Sequence, residues 1–233
     1  MRVLVTRPQP DANRLADRLE EAGHEAVISP LLRIEFTEDP LPPLDSFQAL
    51  LITSGNGARA LARNTGRRDM RLLCVGDASA RQAREDGFDD VESAGGDTVA
   101  LAELTKTSCN PADGPLLHVT GSAVAGALAE NLRDVGYSVE SQMLYRANIA
   151  AQLPETAREA LSDGSLDAVM LFSPRTARTF ATLLKKAEME TTCTGLHLLC
   201  LSEAVANELR NIPSSSIRIA ARPTTDALFD VLD

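Results

Sequence analysis

Small hydroxyl, glycine and proline residues recur at the ends of short apolar runs in this sequence. They are Thr6-Arg7-Pro8, Thr53-Ser54-Gly55-Asn56, Gly76-Asp77-Ala78-Ser79, Thr120-Gly121-Ser122, Ser173-Pro174-Arg175-Thr176 and Pro223-Thr224-Thr225. Each stands where a strand would hand over to a helix. A helix N-terminus presents N–H groups and partial positive charge, so such turns hold carboxylates or phosphates. Ser, Thr and Asp there also act simply as N-caps, worth ~1 kcal/mol each. One turn is therefore uninformative, but a set of them on the strand ends of one fold predicts a site for an anionic ligand. The candidate binding residues are Thr6, Arg7, Thr53, Ser54, Asn56, Gly76, Ser79, Gly121, Ser173, Pro174, Thr176 and Thr224. Arg7, Arg59, Arg175 and Arg178 are the candidate cations near these turns.

Other chemistry is sparse. Tyr145 is a polar aromatic in an otherwise aromatic-poor chain, and it is the candidate hydrogen-bond donor or general acid. His118 and His197 fall within apolar runs and read as satisfied core histidines; His24 follows a helix-ending glycine and reads as exposed. Cys74, Cys109, Cys193 and Cys200 have no C-x-x-C spacing, and Cys74 and Cys200 read as buried thiols. No metal site is expected from so few ligands. Gly55-Asn56-Gly57-Ala58-Arg59-Ala60 fits G-x-G-x-x-A after a strand, a weak dinucleotide fingerprint. The sequence has no G-x-S-x-G elbow, no phosphate-binding Gly-Lys-Ser/Thr and no H-E-x-x-H.

The chain as a whole restricts the partners. Its 233 residues predict one large domain or two small ones. A net charge of −10 argues against duplex DNA or an anionic membrane surface. The same charge repels a polyanionic substrate at long range, so binding must rest on local donors. Aromatic residues at 3%, without Trp, argue against stacking platforms for nucleic acid. No apolar run approaches the ~20 residues of a membrane span, and the N-terminus reads as a first strand rather than a signal peptide. A reduced, cytoplasmic protein is expected.

The elements that must position these residues alternate strand and helix. Arg2–Thr6, Glu25–Ile28, Ala49–Thr53, Leu72–Val75, Leu116–Thr120, Val139–Leu144, Ala168–Phe172, Leu196–Leu201 and Ile217–Ala220 read as strands. Most are continuous apolar runs, as expected of parallel strands covered on both faces. The proline-rich Asp39–Pro43 stretch marks a boundary, and Leu31–Thr37 reads as a connecting strand. An internal echo is present. Val5-Thr6 with Leu19-x-x-x-Gly23 matches Val119-Thr120 with Leu132-x-x-x-Gly136, and Ala49–Ser54 matches Val169–Pro174. The reading is an α/β fold of two small parallel-sheet domains. Residues 1–34 with 150–233 form a discontinuous domain, 39–143 an inserted one, and 35–38 and 144–149 the crossings between them.

Taken in order, these motifs resemble the uroporphyrinogen-III synthase family over nearly the whole chain. Val5-Thr6-Arg7-Pro8 looks like the family's first turn, and Leu51–Ala58 is similar to its Phe-Thr-Ser-x-Asn-Ala-Val segment. Cys74–Ala80 looks like its Val-Gly-x-x-Thr-Ala segment, and Gly136–Val139 leading to Leu144-Tyr145-Arg146 resembles its Gly-x-x-Val…Tyr-x-Thr segment. Leu171–Pro174 and Arg222-Pro223-Thr224 complete the series. Two departures stand out. Leu201–Ala206 lacks the family's Gly and Thr, and Thr120-Gly121 replaces an Arg-Gly pair.

The resemblance implies two domains facing an open cleft, joined by a two-stranded linker. It implies a lyase of tetrapyrrole (porphyrin, heme) biosynthesis that uses no metal or organic cofactor. The reaction would convert hydroxymethylbilane, a linear tetrapyrrole with eight carboxylates, into uroporphyrinogen III, inverting the last ring through a spiro intermediate and losing water. Tyr145 would supply the acid. A monomer is expected, with the preceding pathway enzyme as a partner. A dinucleotide-dependent enzyme using Gly55–Ala60, or a non-enzymatic two-domain anion-binding protein, remain the alternatives.

Overall fold

Eleven strands and nine α-helices occur among the described residues of a computed structural model, which describes residues 1–123 and 127–232. In chain order they are β1 (Arg2–Val5), α1 (Asp11–Glu21), β2 (Glu25–Ile28), β3 (Leu32–Phe36), β4 (Ala49–Ile52), α2 (Gly55–Asn64), β5 (Leu72–Cys74), α3 (Asp77–Glu85), β6 (Val91–Ser93), α4 (Thr98–Ser108) and β7 (Leu116–Gly121). There follow α5 (Leu128–Asp134), β8 (Val139–Ile149), α6 (Glu155–Ser162), β9 (Ala168–Leu171), α7 (Pro174–Lys186), β10 (His197–Cys200), α8 (Glu203–Asn207), β11 (Ser216–Ile219) and α9 (Thr225–Phe229). No helix among the described residues is long and apolar enough to cross a membrane.

The chain divides into two compact units, Met1–Arg33 with Asn148–Asp233, and Ile34–Ala147. The first unit holds a five-stranded sheet of order β11-β10-β9-β1-β2; the second holds a six-stranded sheet of order β3-β8-β7-β4-β5-β6. The ladders through β1, β2, β9, β10 and β11 are parallel, as are those through β4, β5, β6, β7 and β8. Both passages between units lie within strands, at Arg33–Ile34 in β3 and Ala147–Asn148 in β8. The Thr37 amide donates to the Leu144 carbonyl at 2.9 Å and the Ala150 amide to the Leu31 carbonyl at 3.0 Å, so β3 and β8 run antiparallel.

Continuous apolar runs arise because each strand serves two cores. Successive side chains point to opposite faces. Leu4, Val169 and Leu198 join one cluster, while Val3, Val5, Met170 and Leu199 join another on the other face. In the second sheet Leu50, Ile52 and Val119 pack on one face, and Ala49, Leu51 and Leu116 on the other. A polar residue in any of these strands would face a core whichever way it pointed.

The internal echo is a structural repeat. β1, β9 and β10 occupy the places in the first sheet that β7, β4 and β5 occupy in the second. Helices α1 and α5 also end alike. Gly23 (φ +81°) and Gly136 (φ +96°) take the left-handed conformation that favours glycine. The next amide then closes back over the helix, His24 to the Leu19 carbonyl at 2.8 Å and Tyr137 to the Leu132 carbonyl at 3.0 Å.

Three expectations need correction. β6 was not expected; Val91-Glu92-Ser93 is a short edge strand with too few apolar residues to signal itself. β8 runs on to Ile149 instead of ending at Leu144, because it carries the crossing. Thr6-Arg7-Pro8 and Thr120-Gly121-Ser122 do not open helices: α1 begins at Asp11 and α5 at Leu128.

Candidate active site

The order in which strands are added to the second sheet reverses between β7 and β4, which are parallel: β8 lies beyond β7, whereas β5 and β6 continue from β4. Ligands in such sheets bind beyond the carboxyl ends of the strands at this switch point. Two expected residues flank it, Gly121 at the end of β7 and Ser54 just past β4.

Tyr145 reaches the same point through an irregularity in β8. Thr120 pairs with Met143, but Gly121 pairs with Tyr145, so Leu144 is the extra residue of a bulge. A bulge re-aims the side chain that follows it. Here consecutive residues, Leu144 and Tyr145, both pack on the cluster containing Ile52 and Val119. Without the bulge, Leu144 would stand opposite Gly121. The Ser122 amide donates to the Tyr145 carbonyl at 2.9 Å and secures the shifted register.

Glycine at 121 makes room for the ring. A methyl group there would lie 2.5 Å from Cε2 and Cζ of Tyr145 and 2.9 Å from its hydroxyl. The phenol oxygen lies 2.9 Å from Ser54 Oγ. Ser54 in turn caps α2, accepting from the Gly57 amide at 3.1 Å. The structure thus brings Tyr145, Ser54 and Gly121 into one constellation. The other tyrosine is structural, its hydroxyl donating to the Cys109 carbonyl at 2.8 Å.

The remaining candidates are dispersed over several elements. Thr53 precedes Ser54 and Asn56 lies two residues after it, where Asn56 Oδ1 accepts from the Arg59 guanidinium at 2.8 Å. Gly76 caps α3, with Ser79 buried in its first turn. In the first unit Thr6 is fully buried and donates to the Met170 carbonyl at 2.8 Å, so it serves the sheet. Ser173 caps α7 with Pro174 in its first turn; its hydroxyl pairs with Thr176 Oγ1 at 2.9 Å. Thr224 caps α9, accepting from the Ala227 amide at 3.2 Å.

Several of the cations are already engaged. Arg7 pairs with Asp11 at 2.8 Å and stacks on Phe172. Arg59 is only 9% exposed and donates to Gln82 at 2.7 Å, tying α2 to α3. Arg178 grips Glu208 through two nitrogens. Arg7 and Arg178 thus meet carboxylates within the fold, and Arg59 meets the side-chain oxygens of Asn56 and Gln82. Gly55 and Gly57 lie inside α2 without a positive φ, so neither forms the tight glycine turn of a dinucleotide loop.

The histidines and thiols take no part in this site. His118 is 2% exposed, yet neither ring nitrogen has a hydrogen-bond partner among the described residues, which corrects its reading as a satisfied core histidine. Burial, reinforced by the Arg133 charge, pushes its pKa down to about 4. His197 bonds Ser216 Oγ at 2.8 Å, and His24 is half-buried against the Met1 amine at 3.1 Å. Burial pushes Cys74 and Cys200 up to about 12 and Cys193 up to about 11, so none is a thiolate near neutral pH. No group of three or more His, Cys, Asp or Glu among the described residues could hold a metal.

Comparison with known proteins gives the family and the fold. Residues 13–230 match the model of the family described as uroporphyrinogen-III synthase HemD. A uroporphyrinogen-III synthase from Chlorobaculum parvum is 25% identical over 202 residues, 80% of each chain. Two solved structures share the fold. The Helicobacter pylori uroporphyrinogen-III synthetase has a TM-score of 0.64 at 16% identity, covering 98% of this chain and 96% of its own. A mutant Thermus thermophilus uroporphyrinogen III synthase has a TM-score of 0.57 at 19% identity, covering 99% and 96%. With that family's model running almost from end to end, this chain belongs to the uroporphyrinogen-III synthase family.

Proposed function

We propose that Tyr145 is the proton donor with which this chain carries out its family's reaction, the cyclisation of hydroxymethylbilane to uroporphyrinogen III. The supporting observation is the phenol's position at the switch point, turned there by the bulge and seated over Gly121. Loss of hydroxide from the substrate needs an acid. The Tyr145 O–H breaks and its proton goes to the hydroxymethyl oxygen. The C–O bond then breaks with its electron pair on oxygen, water leaves, and an azafulvenium cation remains. Attack by the substituted carbon of the last ring gives the spiro intermediate. The bond from that carbon to its original bridge then breaks, the freed bridge carbon is attacked by the ring's other α-carbon, and the proton shed there restores the phenol, so the cycle balances. Selectivity for the inverted ring comes from positioning, because the uncatalysed reaction gives the unrotated isomer.

The substrate's carboxylates suit the polar strand ends. The amides of Gly55 and Asn56 open α2 ahead of its hydrogen-bond ladder, as those of Asp77 and Ala78 open α3. On this reading the chain works as a monomer in the cytoplasm, on a linear tetrapyrrole made by the preceding enzyme of the pathway. Its free cysteines, three of them buried, support a reducing compartment.

The test is a coupled assay. Hydroxymethylbilane is generated in situ, the protein is added without cofactor, and the oxidised uroporphyrin isomers are separated. Type III is the expected product. Type I alone, as without enzyme, would overturn the proposal.

A further inference from the structure

The two units carry the same serine cap and use its hydroxyl differently. Ser54 and Ser173 each follow the strand beside a switch point, β4 and β9 respectively. Each accepts from the amide three residues on, at 3.1 Å. In α7 that third residue is Thr176, and its side chain takes up the Ser173 hydroxyl at 2.9 Å. In α2 it is Gly57, which has no side chain. The Ser54 hydroxyl is instead paired with Tyr145, 91 positions away, at 2.9 Å.

From this difference we infer that Ser54 is a positioning residue for Tyr145 rather than a ligand of the substrate. The inference rests on Tyr145 being the acid. A serine hydroxyl has one proton and two lone pairs. The Gly57 amide fills one lone pair of Ser54. Ser54 then donates its proton to the phenol oxygen, leaving the phenol's own proton free for the substrate. When that proton departs, Ser54 keeps donating to the phenolate, and the polarising Gly57 amide stands behind it at the positive end of α2. Gly57 is part of this arrangement. A Cβ there would meet only ordinary contacts, 3.6 Å from Ser54 Oγ and 3.7 Å from Val119, so packing alone does not require glycine.

The experiment is a double-mutant cycle with kcat and KM measured separately. Ser54→Ala removes the hydroxyl. Ser54→Gly does the same with an N-cap nearly as good as serine, which guards against unfolding. Each is expected to lower kcat about 10-fold, the scale of one hydrogen bond to a charged group, and to leave KM within about 2-fold. In the Tyr145→Phe background neither should lower kcat further. Ser54→Thr should restore most of the rate, and Gly57→Ser, which offers Ser54 a competing partner, should lower kcat. An equal loss in both backgrounds, or a raised KM at unchanged kcat, would overturn the role of Ser54 while leaving Tyr145 as the acid. Full kcat in Tyr145→Phe alone would overturn the acid, and the positioning role with it.

Discussion

Gly121 and Tyr145 face each other across a bulged ladder, and the ring of one occupies the space a side chain on the other would need. This pairing ties backbone geometry to chemistry in a chain that offers few reactive groups.

Gly121→Ala should separate activity from stability. The added methyl would meet the outer end of the Tyr145 ring at 2.5 Å. That ring is half-buried, so it can swing aside, and the cost to folding should stay below the ~1–3 kcal/mol of core overpacking. Swinging aside breaks the bond to Ser54. The expected result is a kcat reduced about 10-fold or more with a near-normal unfolding midpoint, read by the coupled assay and by urea titration. Unchanged kcat would show that the ring's seat does not matter.

His118 should make the fold acid-sensitive. Its folded pKa, about 4, lies below the unfolded value of 6.5. Above 6.5 both states hold a neutral ring, and its contribution to stability is complete. As pH falls from 6.5 towards 4, the unfolded chain takes a proton that the folded one refuses. Stability then drops by ~1.4 kcal/mol per pH unit, to a total of ~3 kcal/mol. Urea unfolding at pH 7 and pH 5 should show a difference of ~2 kcal/mol that His118→Phe abolishes. An identical pH dependence in the variant would contradict this.

Arg59→Met should destabilise the inserted unit. The guanidinium is buried and joins Asn56 to Gln82 across α2 and α3. Removing it takes the guanidinium donor from both side-chain oxygens, at an expected cost of ~2–4 kcal/mol. Thermal unfolding measures this; a loss below ~0.5 kcal/mol would place Arg59 among ordinary surface residues.

Thiol labelling of the native protein should modify Cys109 first. Cys74, Cys193 and Cys200 are fully buried, with pKa values of about 12, 11 and 12. They should react only on the timescale of unfolding. Rapid labelling of all four in the folded state would contradict their burial.

The central strands and their repeat were legible because parallel strands in two cores must be apolar throughout, as Ala49–Ile52 and Ala168–Leu171 are. The Ser54 and Ser173 caps were legible because a serine between an apolar run and a helix accepts from the helix's own first-turn amides. What escaped depends on register. The bulge at Leu144 leaves no mark in the local sequence, so nothing there indicates that Tyr145 faces Gly121 or meets Ser54. Thr6 has the same residue type as other turn candidates, and its burial beside β9 follows only from strand order. His118 resembled any core histidine until its surroundings proved to lack a partner.

The decisive measurement is single-turnover cyclisation by Tyr145→Phe, with product isomers resolved. The phenol's loss should cut the rate about 100-fold or more, the lower end of general-acid effects. The unfolding midpoint should stay close to wild type, and the residual enzymatic product should still be type III, since the positioning groups remain. A rate within about 3-fold of wild type, far short of a general acid's contribution, would show that Tyr145 does not donate the proton.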